Sequence, residues 1–275
     1  MGYDITYHPI TEAEMREWYF DLDFVAIVEK DYSAIERLAQ QYGIEDFYRD
    51  KYIDMMDVAV NTEPDVAFEL SHGYYMAVTQ GLFRKYYYTR GSAFSFLLQD
   101  HPYFEQYTKP WQEILPHKYT NPIYNRLHGN YSSGVYIPAE KVAQLINDYT
   151  SNPAVREALD QHYSHKRINV FLTALREARD NNQGILEATE VVEPNPLDLE
   201  STACYSNLYN CDTEGAYLYQ EAAREQMREI EQRENLPEGE IARKGTYTVT
   251  NLGSIDEVKK DKEEKKGFFK RLFGG

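Results

Sequence analysis

The stretch from Val135 to Val192 constrains the fold more tightly than any other part of the chain. Val135-Tyr136-Ile137 is a short run of strand-forming residues, and Pro138 behind it suits the first turn of a helix. Val142, Leu145, Ile146 and Tyr149 then recur at helical spacing. Asn152-Pro153 opens a second helix carrying Val155, Ala158 and Leu159, and Ile168, Phe171, Leu172, Leu175 and Ala178 mark a third. Asn181-Asn182-Gln183-Gly184 ends it, because Asn and Gly tolerate the left-handed backbone of a helix stop. Ile185 to Val192 is strand-like again. Strand, helices and strand in that order read as a crossover-like unit and predict α+β or α/β packing.

The flanking sequence fills in the rest of that class. Ile5 and Tyr7 alternate with Asp4 and Thr6, which predicts a strand over 3–8, ended by His8-Pro9 because proline donates nothing to a ladder. Thr11 and Glu14 form a capping-box pattern ahead of a helix with Met15, Trp18, Tyr19 and Leu22 on one side. Further helices are predicted at about 33–42 and 45–60, and from Thr213 to Glu234, where Ala216, Tyr219, Ala223, Met227 and Ile230 share a face. Between Leu70 and Leu115 the chain is dense in aromatics, including Tyr74-Tyr75 and Tyr86-Tyr87-Tyr88, and reads as helices broken near Gly91 and at His101-Pro102. The expected fold is therefore α+β, predominantly helical, with a small mixed sheet from strands near 3–8, 135–137 and 185–192. An aromatic-rich, mainly helical part spans 1–120, and an α+β part over 121–245 packs on it, separately or as one continuous domain. A charged tether and amphipathic tail occupy 246–275.

No apolar run approaches the roughly 18 residues of a membrane span, and the N-terminus lacks the basic start and apolar stretch of a secretory signal. Two cysteines cannot build a disulfide framework. A cytoplasmic protein is expected, free or peripheral to the inner face of the membrane.

Charge excludes one broad class. The chain carries −16, and because 256–275 hold seven basic and five acidic residues, the other 255 residues carry −18. Such a body repels a nucleic-acid backbone, whose binding depends on Lys and Arg displacing counterions. The 44 residues between Arg179 and Arg224 contain nine acids and no Lys or Arg: Asp180, Glu187, Glu190, Glu193, Asp198, Glu200, Asp212, Glu214 and Glu221. A second acid-only interval, Arg16 to Lys30, holds Glu17, Asp21, Asp23 and Glu29. Gathered on one face, these carboxylates would steer a basic partner inward.

The segment 193–214 draws the most attention, since a connection of about 20 residues exceeds the usual loop and is often functional. Asp198, Glu200, Tyr205, Tyr209, Asp212 and Glu214 are its candidate partner-contacting residues. Cys204 and Cys211 read as small, half-buried thiols; a zinc site would need His162 and His165 as well, at a spacing that structural zinc rarely uses. A Cys nucleophile served by His128 lacks any local catalytic signature. Paired carboxylates are the more serious chemistry: Glu187, Glu190, Glu193 and Asp198 are the candidate acids of a hydrolase, with or without an oxygen-bound divalent cation. On one continuous strand, however, Glu187 and Glu193 point one way and Glu190 the other. No Walker loop, dinucleotide fingerprint or Gly-x-Ser-x-Gly elbow occurs, so no cofactor is expected and no metal is assigned.

The tail adds a separate signal. Phe268, Phe269, Leu272 and Phe273, with Lys270 and Arg271 beside them, make a short amphipathic stripe suited to an anionic membrane surface or a partner's groove. Together these features predict an acidic, tyrosine-rich module that binds a basic protein, in concrete form an immunity-type inhibitor of a cationic toxin. A carboxylate-dependent hydrolase with a site around 187–212 is the alternative.

Overall fold

The computed structural model of the chain describes residues 3–62, 71–115, 123 and 125–244. The expected tail at 246–275, with Phe268, Phe269, Lys270, Arg271, Leu272 and Phe273, lies outside the described residues. In chain order the elements begin with β1 (Asp4–Ile10), α1 (Glu12–Met15), a π-helical turn (Arg16–Phe20), α2 (Phe24–Val28), α3 (Ser33–Tyr42), α4 (Asp46–Asn61) and α5 (His72–Phe83). Next come β2 (Tyr86–Arg90), α6 (Phe94–Asp100), a 3-10 segment (Pro102–Tyr107), α7 (Trp111–Ile114), β3 (Ser133–Ile137), α8 (Ala139–Ser151), α9 (Pro153–His162) and α10 (Arg167–Asp180). The chain continues through β4 (Gly184–Thr189), β5 (Val192–Glu193), β6 (Ala203–Cys204), β7 (Cys211–Asp212), α11 (Glu214–Arg233) and α12 (Glu240–Lys244).

Five strands form a mixed sheet in the order β3-β4-β1-β2-β7, and β5 and β6 make a separate two-stranded ribbon. The fold is α+β, as the periodicity predicts. β1 lies between β2 and β4, antiparallel to both, so a strand from the first few residues joins strands from both halves of the chain. Two apolar clusters flank the sheet. One packs Trp18, Tyr19, Tyr52, Met56, Tyr74 and Met76 against Ile10, Tyr86, Tyr88 and Leu186. The other packs Phe94, Leu145, Leu159, Phe171 and Leu175 against Ile5, Tyr7, Val135 and Ile185. A sheet covered on both faces does not need polar residues at alternate positions.

That double coverage explains the first departure from expectation. Tyr86-Tyr87-Tyr88, read as helical, is a strand: Tyr86 and Tyr88 enter one cluster and Tyr87 the other, so three aromatics in a row are all buried. The second concerns Pro9, expected to end β1. The strand runs on to Ile10 because pairing with β2 stops at Tyr7–Tyr87, while pairing with β4 continues through Pro9–Ile185 to Ile10–Gly184. Proline thus stands where only one neighbouring ladder persists, a tolerated edge position. The third is topological. β3 and β4 are antiparallel neighbours, with Ser133 opposite Ala188 and Ile137 opposite Ile185, so α8, α9 and α10 close a long antiparallel connection and not a parallel crossover.

The helices themselves start where the sequence indicates. Thr11 and Glu14 complete the capping box of α1, and the Asn152 side chain accepts from Ala154 N ahead of Pro153 at α9. Gly215, at the start of α11, lies so close to β2 that a Cβ there would fall 1.7 Å from the Tyr88 carbonyl oxygen, which is how the long helix approaches the sheet.

Candidate functional site

The strand predicted over 185–192 is broken, and the break builds the site. β4 ends at Thr189, Glu190 turns the chain with a left-handed φ of 59°, and β5 resumes at Val192. The turn is fixed by Glu190 N donating to Asp4 O at 2.7 Å. On its other side Asp4 is the register partner of Arg90 in β2, so Glu190, Asp4 and Arg90 form a row across the turn, β1 and β2. The turn also brings Glu193 round, and carboxylate oxygens of Asp4, Glu190 and Glu193 lie within 4.8 Å of one another. This is the one group of three metal-competent side chains that comes together among the described residues.

Its electrostatics are tightly bound up with its neighbours. Asp4 pairs with Arg90 at 2.5 Å and accepts from the Tyr88 hydroxyl at 2.7 Å. The Arg90 guanidinium lies 4.9 Å from the centre of the Tyr219 ring, a cation–π arrangement supplied by α11. Burial, together with the charges of Asp4 and Glu193, pushes the Glu190 carboxyl up to about 9, so it is protonated at neutral pH. Glu193, half-buried, accepts from the Tyr131 hydroxyl at 3.2 Å.

Tyrosines enclose this group. Tyr74, Tyr131 and Tyr205 meet edge to face, with ring centres 5.7 to 6.5 Å apart. Burial, reinforced by the Glu193 charge, raises Tyr131 far above the usual phenol range, and burial brings Tyr205 to about 12. Tyr74 is also raised by burial first, and then by its neighbours Tyr205, Tyr131 and Glu193; its hydroxyl is fully buried and has no hydrogen-bond partner among the described residues.

The four candidate acids therefore separate. Glu190 and Glu193 converge, contrary to strand alternation, because the left-handed turn intervenes between them. Glu187 belongs to the opposite face: it is entirely buried beneath α6, accepting from Ser95 N at 3.2 Å and Ser95 Oγ at 2.5 Å. Burial brings it up to about 7, against the lowering effect of those donors. Asp198 is exposed and caps a 3-10 turn, accepting from Glu200 N and Ser201 Oγ. Asp4, Arg90, Tyr88, Tyr74 and Tyr131 were invisible as site residues, because only cross-strand register and tertiary packing bring them together.

The candidate partner residues divide as well. Tyr205 faces the tyrosine group, Asp212 pairs with Lys85 at 3.1 Å, and Glu200 and Glu214 are exposed. Tyr209 is 92% exposed. It sits on a 3-10 turn (Leu208–Asn210) pinned from several directions: Asn207 Oδ1 accepts from Tyr209 N, Asn210 Nδ2 donates to Gly81 O, and Ser206 Oγ donates to Val78 O. Lys51 Nζ donates to Cys204 O and Ser206 O from α4. Of the nine acids between Arg179 and Arg224, Glu187 and Glu190 are buried and Glu193 half-buried, so they add little to any surface patch.

Cys204 and Cys211 are half-buried free thiols, and Tyr86 OH lies 3.3 Å from Cys204 Sγ. Burial raises both above the ordinary thiol range, which opposes nucleophilic or metal-binding use. His162 bonds Ala93 O at 2.7 Å, in the cluster on the other face of the sheet from Cys204.

Fold and site together define an α+β protein with a carboxylate–tyrosine cluster where β1, β2 and the β4–β5 turn meet. No protein-family model matches the chain, and comparisons with curated proteins and with solved structures find no match. No helix among the described residues is long and apolar enough to cross a membrane.

Proposed function

We propose that the chain is a protein-interaction module whose contact surface is centred on Tyr209. The observation that carries this reading is a nearly fully exposed aromatic on a turn pinned by side-chain hydrogen bonds. Leaving such a ring in water forgoes about 2 kcal/mol that burial would return, and a pinned loop has less entropy to lose when a partner covers it. Leu208 is 41% and Phe47 64% exposed, with Tyr48 edge-on to Phe47. Aromatics of this kind are favoured as binding anchors.

A basic partner fits the surroundings. Glu45, Asp46 and Asp50 are exposed beside Phe47, and the half-buried Arg49 pairs with Asp46 and Asp50. With a chain charge of −16, association should be faster at low salt. An immunity-type inhibitor of a cationic protein is the specific form of this proposal. Affinity capture with the wild-type chain and with Tyr209→Ala, at low and high salt, tests it. A basic partner retained by the wild type, weakened by salt and lost with Tyr209→Ala is expected. Identical capture by both chains refutes the assigned surface.

A further inference from the structure

The geometry points to a divalent-cation site formed by Asp4, Glu190 and Glu193, completed by the hydroxyls of Tyr131 and Tyr74; it is independent of the Tyr209 surface. The first observation is the spacing. Three carboxylate oxygens within 4.8 Å of one another fit around an ion whose bonds to oxygen run about 2.3 to 2.6 Å. The second is the Tyr74 hydroxyl, whose ring packs edge to face against Tyr131 and Tyr205, and which is fully buried with no hydrogen-bond partner among the described residues. A buried hydroxyl is costly to leave without a partner, and most in native proteins have one. An ion, or water in its coordination sphere, held at Glu193 would supply it.

Ligand type agrees. All the donors are hard oxygens, which selects the calcium, magnesium and manganese group over zinc or copper. Calcium fits better than magnesium. Asp4 already serves Arg90 and Tyr88, so it cannot swing freely, and magnesium demands near-ideal octahedral geometry where calcium accepts irregular shells. Glu193 is half-buried, which gives the site its side toward solvent.

Titration of the full chain with calcium in a calorimeter reads this directly. Terbium luminescence sensitised by tyrosine, and competed by calcium, gives a second signal, because Tyr131 is bonded to a ligand. One ion per chain is expected, with Kd raised at least tenfold in Glu193→Gln and severalfold in Tyr74→Phe, and unchanged in Glu221→Gln on the exposed face of α11. Tyr74→Phe keeps the ring and removes only the unpartnered hydroxyl, so it decides the matter if Glu193→Gln does not fold. Absence of saturable binding to the folded wild type overturns the site. So does a folded Glu193→Gln or Tyr74→Phe chain that binds calcium as the wild type does.

Discussion

Glu187 has two marks of a catalytic acid, complete burial and a carboxyl raised to about 7, yet its surroundings give it a structural role. Its donors are the first turn of α6, and Gly134 of β3 comes so close that a Cβ there would lie 2.0 Å from Glu187 Oε1. The perturbation that separates the roles is Glu187→Gln, read as stability against pH. In the folded chain this carboxyl titrates near 7, and in the unfolded chain near 4.5. Below 4.5 both states are protonated and the group is neutral in its effect. As pH rises from 4.5 to 7 the unfolded chain releases a proton that the folded chain keeps, so stability falls. At 1.36 kcal/mol per pH unit the loss is roughly 3 kcal/mol, and above 7 it is constant. His8 and His72, both held by burial at about 4, tilt the wild-type curve the opposite way over much of this range. The readout must therefore be the difference between wild type and variant. Urea melts followed by circular dichroism from pH 4.5 to 8 should show the wild type losing about 3 kcal/mol relative to Glu187→Gln, whatever constant offset the amide introduces. A difference that does not change with pH refutes the assignment of a protonated, buried carboxyl.

Other perturbations follow from the same geometry. His8, stacked on Tyr86 and bonded to Gln80 and Thr6, is neutral when folded, so its contribution is present above pH 6.5 and lost as pH falls through 4. Wild type should lose about 3 kcal/mol relative to His8→Gln over that interval, and parallel acid melts would contradict this. Gly215→Ala drives a methyl into the Tyr88 carbonyl and should cost about 3 kcal/mol by lifting α11 from β2; an unchanged thermal midpoint would show that the helix shifts freely. Tyr209→Ala should alter folding stability by less than about 0.5 kcal/mol, since the side chain is exposed, and a large loss in a denaturant melt would mean that the ring packs against the chain.

What the sequence reveals, and what it hides, depends on the range of the interactions involved. α8, α9 and α10 are legible because their apolar residues recur within the helix that carries them, and the starts of α8 and α9 are set by Pro138 and by Asn152-Pro153. β2 is not legible. Its three tyrosines are buried on opposite faces by helices far along the chain, so the period of two that marks a half-exposed strand is missing. β1 is half legible: Ile5 and Tyr7 announce it, but Pro9 continues it only because β2 has already ended its pairing there.

The carboxylate group shows the same limit more sharply. Alternation along an unbroken 185–192 strand separates Glu190 from Glu193, and that reasoning holds only while the strand is straight. A single residue with a left-handed φ reverses it, and glutamate is not a residue that advertises such a turn. What holds Glu190 there is the hydrogen bond from its amide to Asp4 O, together with the Tyr205 amide bonded to Val191 O and the short β5–β6 ribbon that follows. Each of these contacts joins residues distant in sequence. The strained turn, the burial of Glu190 and the approach of Asp4 and Glu193 are thus one tertiary event. Three carboxyl groups are brought together beside Arg90, and a local departure from favourable backbone geometry is sustained by contacts around it. If the group served packing alone, Glu190→Gln, which removes the ionisable group while keeping its shape, should leave calcium binding unaltered. The cation site requires instead that the same change weaken calcium at least tenfold in a chain whose circular dichroism is unchanged.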